Sequence, residues 1–324
     1  MRVLVVGKRG GILHWFENVV DAFSSMPEVE SRAFCVNHFG YFDQFWKNIV
    51  KKCSRDFLGK IIANQFAKQM QEFNPDLILI VDYFYIPEQL MEILAGQKKS
   101  SIVVWWIGDL FDRQLVSRHG CVDKFYFTDS YFIDYAAEAG LHNTGFLPLG
   151  YNPKIFRKAN VGTRKSTLAF VGAYSENRAN LLKQVKHQVL VVGKKWDRLG
   201  TTHHEVQSRR VEIGQVAEIY NQHIGVLNIK NSGNVVNGLN MRTFDAPACG
   251  CVVINDYLED LEKCFDVGNE ILVYNSVEEL NDQFSRLKND TRLQKKIVEA
   301  GLRRVKSEHQ YRHRLESILK TTFN

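Results

Sequence analysis

The first half of the chain alternates short apolar runs with longer segments in which apolar residues recur every three or four positions. The apolar runs are Arg2–Val6, Ala33–Val36, Leu77–Val81, Ile102–Ile107 and Phe125–Phe127. Such unbroken runs are typical of strands that a parallel sheet buries on both faces. The helical segments between them are Leu13–Phe23, Phe42–Phe73, Glu88–Leu94 and Tyr131–Ala139. This order predicts a doubly wound α/β domain.

The periodicity stops at LPLGYNPKIFRKANVGTRKS, where prolines, glycine and a polar run indicate an interdomain linker. Beyond it the alternation resumes, with predicted strands at Thr167–Val171, Gln188–Val192, Ile224–Ile229, Cys251–Ile254 and Glu270–Val273. Three helices follow the last strand. We therefore predict two Rossmann-like domains, residues 1–152 and 153–305, that face each other across a cleft. We expect the last segment, residues 306–324, to be a helix that crosses back to the first domain.

Composition narrows the class of protein. The chain has 324 residues, of which 45% are hydrophobic and 24% charged, as in ordinary globular proteins. Its formal net charge of +6 fits a cleft for anionic ligands, contact with an anionic membrane, or mere solubility. Nucleic-acid binding is not expected, because the basic residues are dispersed and no known motif appears.

The cysteines and the N-terminal sequence indicate the cellular compartment in which the protein is expected. The six cysteines include no CxxC pair, so reduced thiols are expected rather than a zinc site. The apolar run before Gly7 is too short for a signal peptide, and no stretch of 18 apolar residues is present. We expect a cytoplasmic protein. A basic segment could touch the inner face of a membrane or form a solvated face; it holds Trp46, Lys47, Lys51, Lys52, Arg55 and Lys60.

Ligands of doubly wound sheets bind beyond the carboxyl ends of the strands, so the residues after each strand are candidates. In FVGAYSENR, Gly172 permits a tight turn, Ser175 can cap the next helix, and Arg178 lies one turn further. Free amides and an arginine at such a helix start suit a diphosphate. The alternative is an ordinary strand-to-helix turn with a solvated arginine.

A second candidate is NSGNVVNGLNMRTFDAPACG, residues 231–250, which follows a predicted strand. Its glycines and asparagines suit close backbone approach, and a helix is expected to begin near Asn240. The amides at the start of that helix would form a second anion site, and Asp245 on the same helix could accept the hydroxyls of a ribose. The alternative is a surface ion pair between Arg242 and Asp245.

The first half offers candidates for a general base. VVGKRGGILHW does not fit GxGxxG, which argues against a nicotinamide dehydrogenase, but His14 is expected on the first helical turn facing the cleft. In WWIGDLFDR, Asp109 lies just past a strand and is the other candidate base. The alternatives are a core or capping histidine and an ordinary polar loop.

The second half of the chain resembles the group 1 type glycosyltransferases of the GT-B fold, and among them the CgeB-like spore-maturation branch. Five pieces carry the resemblance in order: FVGAYSENR, RRVEIGQVAEIYNQHIGVLNI, NGLNMRTFDAPACGCVVIND, FDVGNEILVYNSVEEL and SEHQYRHRLESIL. The last contains the family's H-x-Y-x-x-R pattern. The first half is similar only in its alternation of strands and helices. The resemblance implies GT-B architecture with an N-terminal acceptor domain and a C-terminal nucleotide-sugar domain.

The resemblance also implies which residues bind the donor. They are Gly172, Ser175, Arg178, Asn237, Gly238, Arg242 and Asp245. Among them, Asp245 matches the ribose-binding glutamate of the family, and the nucleotide base is expected near Val211–Gly214. The chain departs from the family at two positions. Residue 245 is aspartate rather than glutamate, and the E-x7-E pattern of retaining relatives would place an acid where this chain has Asn237.

The expected activity is sugar transfer from a UDP-, GDP-, dTDP- or CMP-linked donor to a glycan, lipid-linked or protein acceptor. Helix N-termini and arginines can stabilise the departing diphosphate, and no DxD-type acid pair ends a strand, so neither a metal nor another cofactor is expected. An inverting reaction would need Asp109 or His14 as the base. Two alternatives stay open: a UDP-sugar epimerase of the same fold, and a non-catalytic nucleotide- or glycan-binding relative.

Overall fold

The computed structural model describes residues 1–10, 14–37, 55–81, 88–96, 101–108, 110–111, 120–230, 233 and 235–323. The chain forms two compact units. The first contains Met1–Pro148 and Leu315–Asn324, and the second contains Leu149–Arg314. Most of the basic segment that begins at Trp46 lies outside the described residues.

The first unit is built on a six-stranded parallel sheet in the order β2-β1-β3-β4-β5-β6. Its strands are β1 (Arg2–Gly7), β2 (Glu30–Cys35), β3 (Leu77–Val81), β4 (Ile102–Ile107), β5 (Lys124–Phe127) and β6 (Thr144–Phe146). The central strands β1, β3 and β4 are almost wholly buried, as their unbroken apolar sequences predict.

The second unit has a sheet of the same size and pairing, in the order β12-β11-β10-β7-β8-β9. Its strands are β7 (Lys165–Val171), β8 (Val189–Gly193), β9 (Glu205–Ser208), β10 (His223–Asn228), β11 (Val252–Asp256) and β12 (Leu272–Tyr274). Counted within the unit, this is the strand order 3-2-1-4-5-6 of dinucleotide-binding folds, read from the other edge.

Helices cover both sheets. Those of the first unit are α1 (Trp15–Phe23), α2 (Arg55–Phe73), α3 (Glu88–Gly96) and α4 (Tyr131–Glu138). Those of the second are α5 (Glu176–Leu182), α6 (Ile213–Gln222), α7 (Arg242–Ala248), α8 (Leu261–Cys264), α9 (Val277–Asn289) and α10 (Thr291–Glu308). The last helix, α11 (Tyr311–Phe323), begins in the second unit and ends in the first. Within the described ranges, no helix is both long enough and apolar enough to span a membrane.

The predicted fold class is confirmed: the chain has two parallel α/β sheets with helices on their faces. Every predicted strand is present, with its ends shifted by a few residues at most. Strands β6 and β9 were not predicted, and each is the edge strand of its sheet. The five described cysteines are free thiols.

The H-x-Y-x-x-R pattern at the end of the chain holds the second unit together. Arg314 donates from Nε and Nη2 to the Leu149 carbonyl at 3.2 and 3.0 Å, and from Nη2 to His309 Nδ1 at 2.6 Å. Because Nδ1 of His309 accepts, its Nε2 must carry the proton that it donates to the Cys264 carbonyl at 2.8 Å. Burial and the charge of Arg314 lower the pKa of His309 to about 4. This part of the family pattern is therefore structural, since it ties the end of the unit to its beginning.

Candidate functional site

The candidate site lies where the strand order of the second sheet reverses. Strands β7 and β10 are parallel neighbours there, although helices α5 and α6 and strands β8 and β9 lie between them along the chain. The chain therefore leaves the ends of β7 and β10 in opposite directions, which opens a crevice beyond their carboxyl ends. The two segments singled out in the sequence follow these two strands.

Arg178 crosses this crevice from the β7 side. It lies on α5, whose N-cap Ser175 has an extended backbone and accepts from the Arg178 amide at 3.4 Å. Its guanidinium donates from Nε and Nη2 to the Ile229 carbonyl at 3.3 and 3.1 Å. A third bond runs from Nη1 to the Ala173 carbonyl at 3.0 Å. The side chain is therefore buried and hydrogen-bonded to the segments that follow both β7 and β10.

Arg242 crosses from the β10 side, as the first residue of α7. Its Nε donates to Asn228 Oδ1 at 2.8 Å, its Nη1 to the Val171 carbonyl at 2.8 Å, and its Nη2 to the Ile229 carbonyl at 3.5 Å. Both arginines therefore share the Ile229 carbonyl. Each guanidinium carbon also lies 5.5 Å from the centre of the Phe170 ring.

The two guanidinium groups place two positively charged side chains next to each other. Burial is the main cause that lowers the pKa of Arg178 to about 9, and the charge of Arg242 adds to it. Burial likewise lowers the pKa of Arg242. Among the described residues, neither arginine lies within ion-pair distance of a carboxylate. Each guanidinium group has five N–H donors, of which the hydrogen bonds above use three.

Gly172 sits against this pair. A methyl group at its Cα would lie 3.1 Å from Arg242 Nη1 and 3.0 Å from Phe170 Cζ. Its amide donates to the Val192 carbonyl at 2.9 Å, so that N–H stabilises the sheet rather than facing a ligand. The amides of Glu176 and Asn177 begin α5 and have no partner within the helix.

Asp245 lies in the first turn of α7 and is only 7% exposed. Burial raises its pKa well above the usual range, and the charge of Arg242 opposes this shift. The surface ion pair between Arg242 and Asp245 is not formed, because the guanidinium turns instead towards Asn228 and Val171. Asp245 thus places a buried carboxylate beside the cationic pair, and it accepts no hydrogen bond from another described side chain.

The segment before α7 contains Asn237 and Gly238. The Asn237 side chain donates from Nδ2 to Glu259 Oε2 at 2.8 Å, and its carbonyl accepts from the Asp260 amide at 3.3 Å. Gly238 lies between this contact and Asn240, whose Oδ1 accepts from the Arg242 amide at 3.0 Å. At the position where the E-x7-E pattern would have an acid, this chain therefore has Asn237, whose side-chain amide is hydrogen-bonded to the Glu259 carboxylate.

Sequence reasoning missed a buried polar network beneath the arginines. Asn228 and Asn255 are fully buried at the ends of β10 and β11, and Asn228 Nδ2 also donates to Thr243 Oγ1 at 3.1 Å. Asp256 accepts from the Lys230 amide at 2.8 Å, and burial raises its pKa to about 6. The signal available in the sequence was an asparagine ending each of two neighbouring apolar strands.

Of the two candidate bases, His14 can be located. It precedes α1 with a positive φ of 45°, and its Nδ1 lies 3.9 Å from Glu17 Oε1. That carboxylate oxygen also accepts from the Gly10 amide at 2.7 Å. Asp109 lies outside the described residues. The structure thus gathers Gly172, Arg178, Arg242 and Asp245 at one crevice of the second unit, while His14 belongs to the first unit.

Comparison with known proteins finds a family that matches the second half of the chain. Residues 177–320 match the model of a family described as glycosyl transferase-like. The second half of the chain therefore carries a domain that is similar to glycosyltransferases, as the resemblance predicted. No finding bears on the CgeB-like branch, which stays a prediction. No curated protein matches the chain by sequence.

Solved structures share the fold along the whole chain. A glycosyltransferase from Rickettsia africae has a TM-score of 0.72 at 13% identity, with 99% of this chain and 97% of that chain covered. HepE from Anabaena, in complex with UDP and glucose, has a TM-score of 0.66 at 12% identity, with 99% of each chain covered. A putative UDP-N-acetylglucosamine 2-epimerase from Listeria monocytogenes has a TM-score of 0.61 at 12% identity, with 99% and 96% covered. The GT-B fold expected from the resemblance is thereby confirmed.

Proposed function

We propose that the protein transfers a hexosyl group from a UDP-linked donor to an acceptor, with the second unit binding the donor and the first unit the acceptor. The observation that carries the proposal is the pair of buried guanidinium groups of Arg178 and Arg242 at the crevice of the second sheet. Two adjacent cations without a carboxylate in contact favour an anion, and a diphosphate carries enough negative charge to balance both.

The same pair supplies the chemistry of the leaving group. As the glycosidic bond to the diphosphate breaks, negative charge grows on the departing oxygen, and fixed cations nearby stabilise the transition state more than the ground state. We therefore propose that the arginines, rather than a metal ion, stabilise the departing UDP. Asp245 would accept hydrogen bonds from the ribose hydroxyls, because its carboxylate lies beside Arg242 and has acceptor capacity to spare.

The choice of UDP rests on a neighbour of the same fold. HepE has been solved with UDP and with UDP-glucose, the latter at a TM-score of 0.67 and 13% identity. For the acceptor, we propose a glycan, a lipid-linked glycan or a protein. His14 is proposed as the base that takes the acceptor's proton, since it belongs to the first unit and its Nδ1 lies 3.9 Å from Glu17 Oε1, which can orient the ring.

A panel of UDP, GDP, dTDP and CMP in a thermal-shift assay tests the donor site. We expect UDP to raise the melting temperature most, because only a ligand that binds the folded state stabilises it. We expect Arg178→Met to bind UDP about tenfold more weakly or worse, since a charge-assisted hydrogen bond contributes about 1.5–3 kcal/mol. Arg303→Met, on the exposed face of α10, removes the same charge and should bind UDP as the unmodified protein does. No stabilisation by any of the four nucleotides would refute the donor site.

The fold of the Listeria protein favours one alternative, a UDP-sugar epimerase. The two activities differ in their need for an acceptor. Incubation with UDP-N-acetylglucosamine alone, followed by chromatography of the sugar, separates them. An epimerised or released sugar in the absence of any acceptor would select the epimerase.

A further inference from the structure

A carboxylate–amide pair joins two loops at the carboxyl end of the second sheet. Asn237 belongs to the segment between β10 and α7, and Glu259 belongs to the turn after β11. The Asn237 amide donates to Glu259 Oε2 at 2.8 Å, and both groups are open to solvent. The neighbouring Asp260 amide donates to the Asn237 carbonyl at 3.3 Å, so the two loops are joined by backbone as well as side chain.

This pair stands next to the cationic crevice. Asn240, three residues after Asn237, donates from Nδ2 to Asn228 Oδ1 at 2.9 Å, and the same Oδ1 accepts from Arg242 Nε at 2.8 Å. Three residues of extended chain span at most about 11 Å. Asn237, with Glu259 bonded to it, therefore lies at most about this far from Asn240, which shares the Asn228 oxygen with Arg242.

The turn that carries Glu259 is held in place. The Asp260 side chain is fully buried, and Lys263 Nζ donates to its Oδ1 at 2.6 Å. The Tyr257 amide donates to the Tyr274 carbonyl at 3.0 Å, which fixes the start of the turn to β12. A carboxylate on a braced turn loses little side-chain and backbone freedom when it binds a ligand.

The surroundings of the pair match the chemistry of a sugar. Val236, which precedes Asn237, is 39% exposed, and Tyr257, two residues before Glu259, is 38% exposed. A pyranose presents hydroxyl groups at its rim and C–H groups on its faces. A carboxylate offers about four acceptor sites, of which the Asn237 amide occupies one.

We propose that Glu259, oriented by the Asn237 amide, binds hydroxyl groups of the donor's hexose and so determines which sugar is accepted. This assignment rests on the proposed donor site at Arg178 and Arg242. The ligand class is the hexosyl group of a UDP-hexose. Because the sugar, and not the nucleotide, contacts Glu259, the two proposals make different predictions for UDP and for UDP-sugars.

The test is a comparison of dissociation constants by isothermal titration calorimetry. UDP, UDP-glucose, UDP-galactose and UDP-N-acetylglucosamine are titrated into the unmodified protein, into Glu259→Gln and into Glu259→Ala. Glu299→Gln is the matched control, since it removes one carboxylate from an exposed position on α10 of the same unit. We expect both Glu259 variants to bind UDP as the unmodified protein does. For the UDP-hexose that binds most tightly, we expect about a tenfold loss in Glu259→Gln and a larger loss in Glu259→Ala.

The outcomes separate the two proposals. If UDP does not bind the unmodified protein, the donor site fails and the role of Glu259 fails with it. If UDP binds and the affinity for every UDP-hexose is unchanged in Glu259→Ala, only the role of Glu259 is refuted. An equal loss for UDP and the UDP-hexoses would also refute it, because that result would show damage to the nucleotide site rather than a contact with the sugar.

Discussion

Replacing Asp245 by asparagine tests the ribose contact with the least disturbance of shape. The aspartate is 7% exposed, lies in the first turn of α7, and has no hydrogen-bonding partner among the described side chains. Asparagine has the same size and keeps one acceptor oxygen, but it carries no charge. The substitution therefore removes a buried carboxylate and little else.

The two expected effects have opposite signs. Burial raises the pKa of Asp245, which means that the folded state disfavours the ionised form, so its neutral replacement should not lower the melting temperature of the free protein. A hydrogen bond between a carboxylate and a ribose hydroxyl contributes about 1.5–3 kcal/mol. At 1.4 kcal/mol per factor of ten, Asp245→Asn should weaken UDP binding about 10- to 150-fold.

Calorimetry with UDP and 2′-deoxy-UDP at pH 8 measures the contact directly. In the unmodified protein, removal of the hydroxyl should cost most of the affinity that the substitution costs. In Asp245→Asn, the affinities for the two ligands should differ less than in the unmodified protein, since the remaining acceptor of the hydroxyl is neutral. Affinity of the unmodified protein for UDP should also fall as the pH is lowered, because protonation of Asp245 begins above the usual aspartate range.

Two results would refute this reasoning. One is an Asp245→Asn protein that binds UDP at full strength. The other is a variant that loses affinity for UDP and 2′-deoxy-UDP by the same factor, which would place the effect elsewhere in the site. Asp282→Asn, on the exposed side of α9, controls for the loss of one negative charge from the unit.

Three further predictions concern other residues. Gly172→Ala should weaken UDP binding and cost about 1 kcal/mol of unfolding free energy, because its methyl group would press on a guanidinium at 3.1 Å. Gly96→Ala, at the end of α3 and with no described atom within 4 Å of the added methyl group, should lower neither quantity in titration and denaturation experiments. His14→Gln should lower turnover and leave UDP binding unchanged, and an unaltered rate in a transfer assay would remove His14 as the base. His309→Gln should lower the free energy of unfolding at pH 7. In urea unfolding experiments, the difference in this free energy between the unmodified protein and the variant should shrink by about 3 kcal/mol as the pH is lowered to 4. Because the pKa of His309 is lowered to about 4, the unfolded chain takes up a proton below about pH 6.5 that the folded state resists, and this loss of stability is absent from His309→Gln. A difference in unfolding free energy that stays constant with pH would contradict this prediction.

Most of the strands could be predicted from the sequence, because strands buried on both faces must be apolar at every position. The two that were missed are edge strands. Residues 205–208 of β9 are polar and partly exposed, and β6 has only three residues. An edge strand pairs on one side only and tolerates polar residues, so its sequence does not distinguish it from a loop.

The candidate site could be predicted in part for a related reason. Gly172, Arg178, Arg242 and Asp245 follow strand ends, and strand ends of parallel sheets meet at one edge. What the sequence could not supply is the pairing between distant segments. The contact of Asn237 with Glu259 joins residues 22 positions apart, and neither residue type alone indicates its partner.

The hydrogen bonds from Arg314 to Leu149 make the second unit a closed segment of chain. The chain enters that unit at Leu149 and leaves it at Arg314, and these two residues are bonded to each other. In terms of chain topology, the unit is an insertion within a first unit that is itself made of two separate pieces. A domain whose ends lie side by side can be lifted out of, or exchanged within, a longer polypeptide without stretching its host. The same hydrogen bonds make 149–314 a suitable segment for exchanging domains between related proteins, which would transfer the proposed donor site as one block.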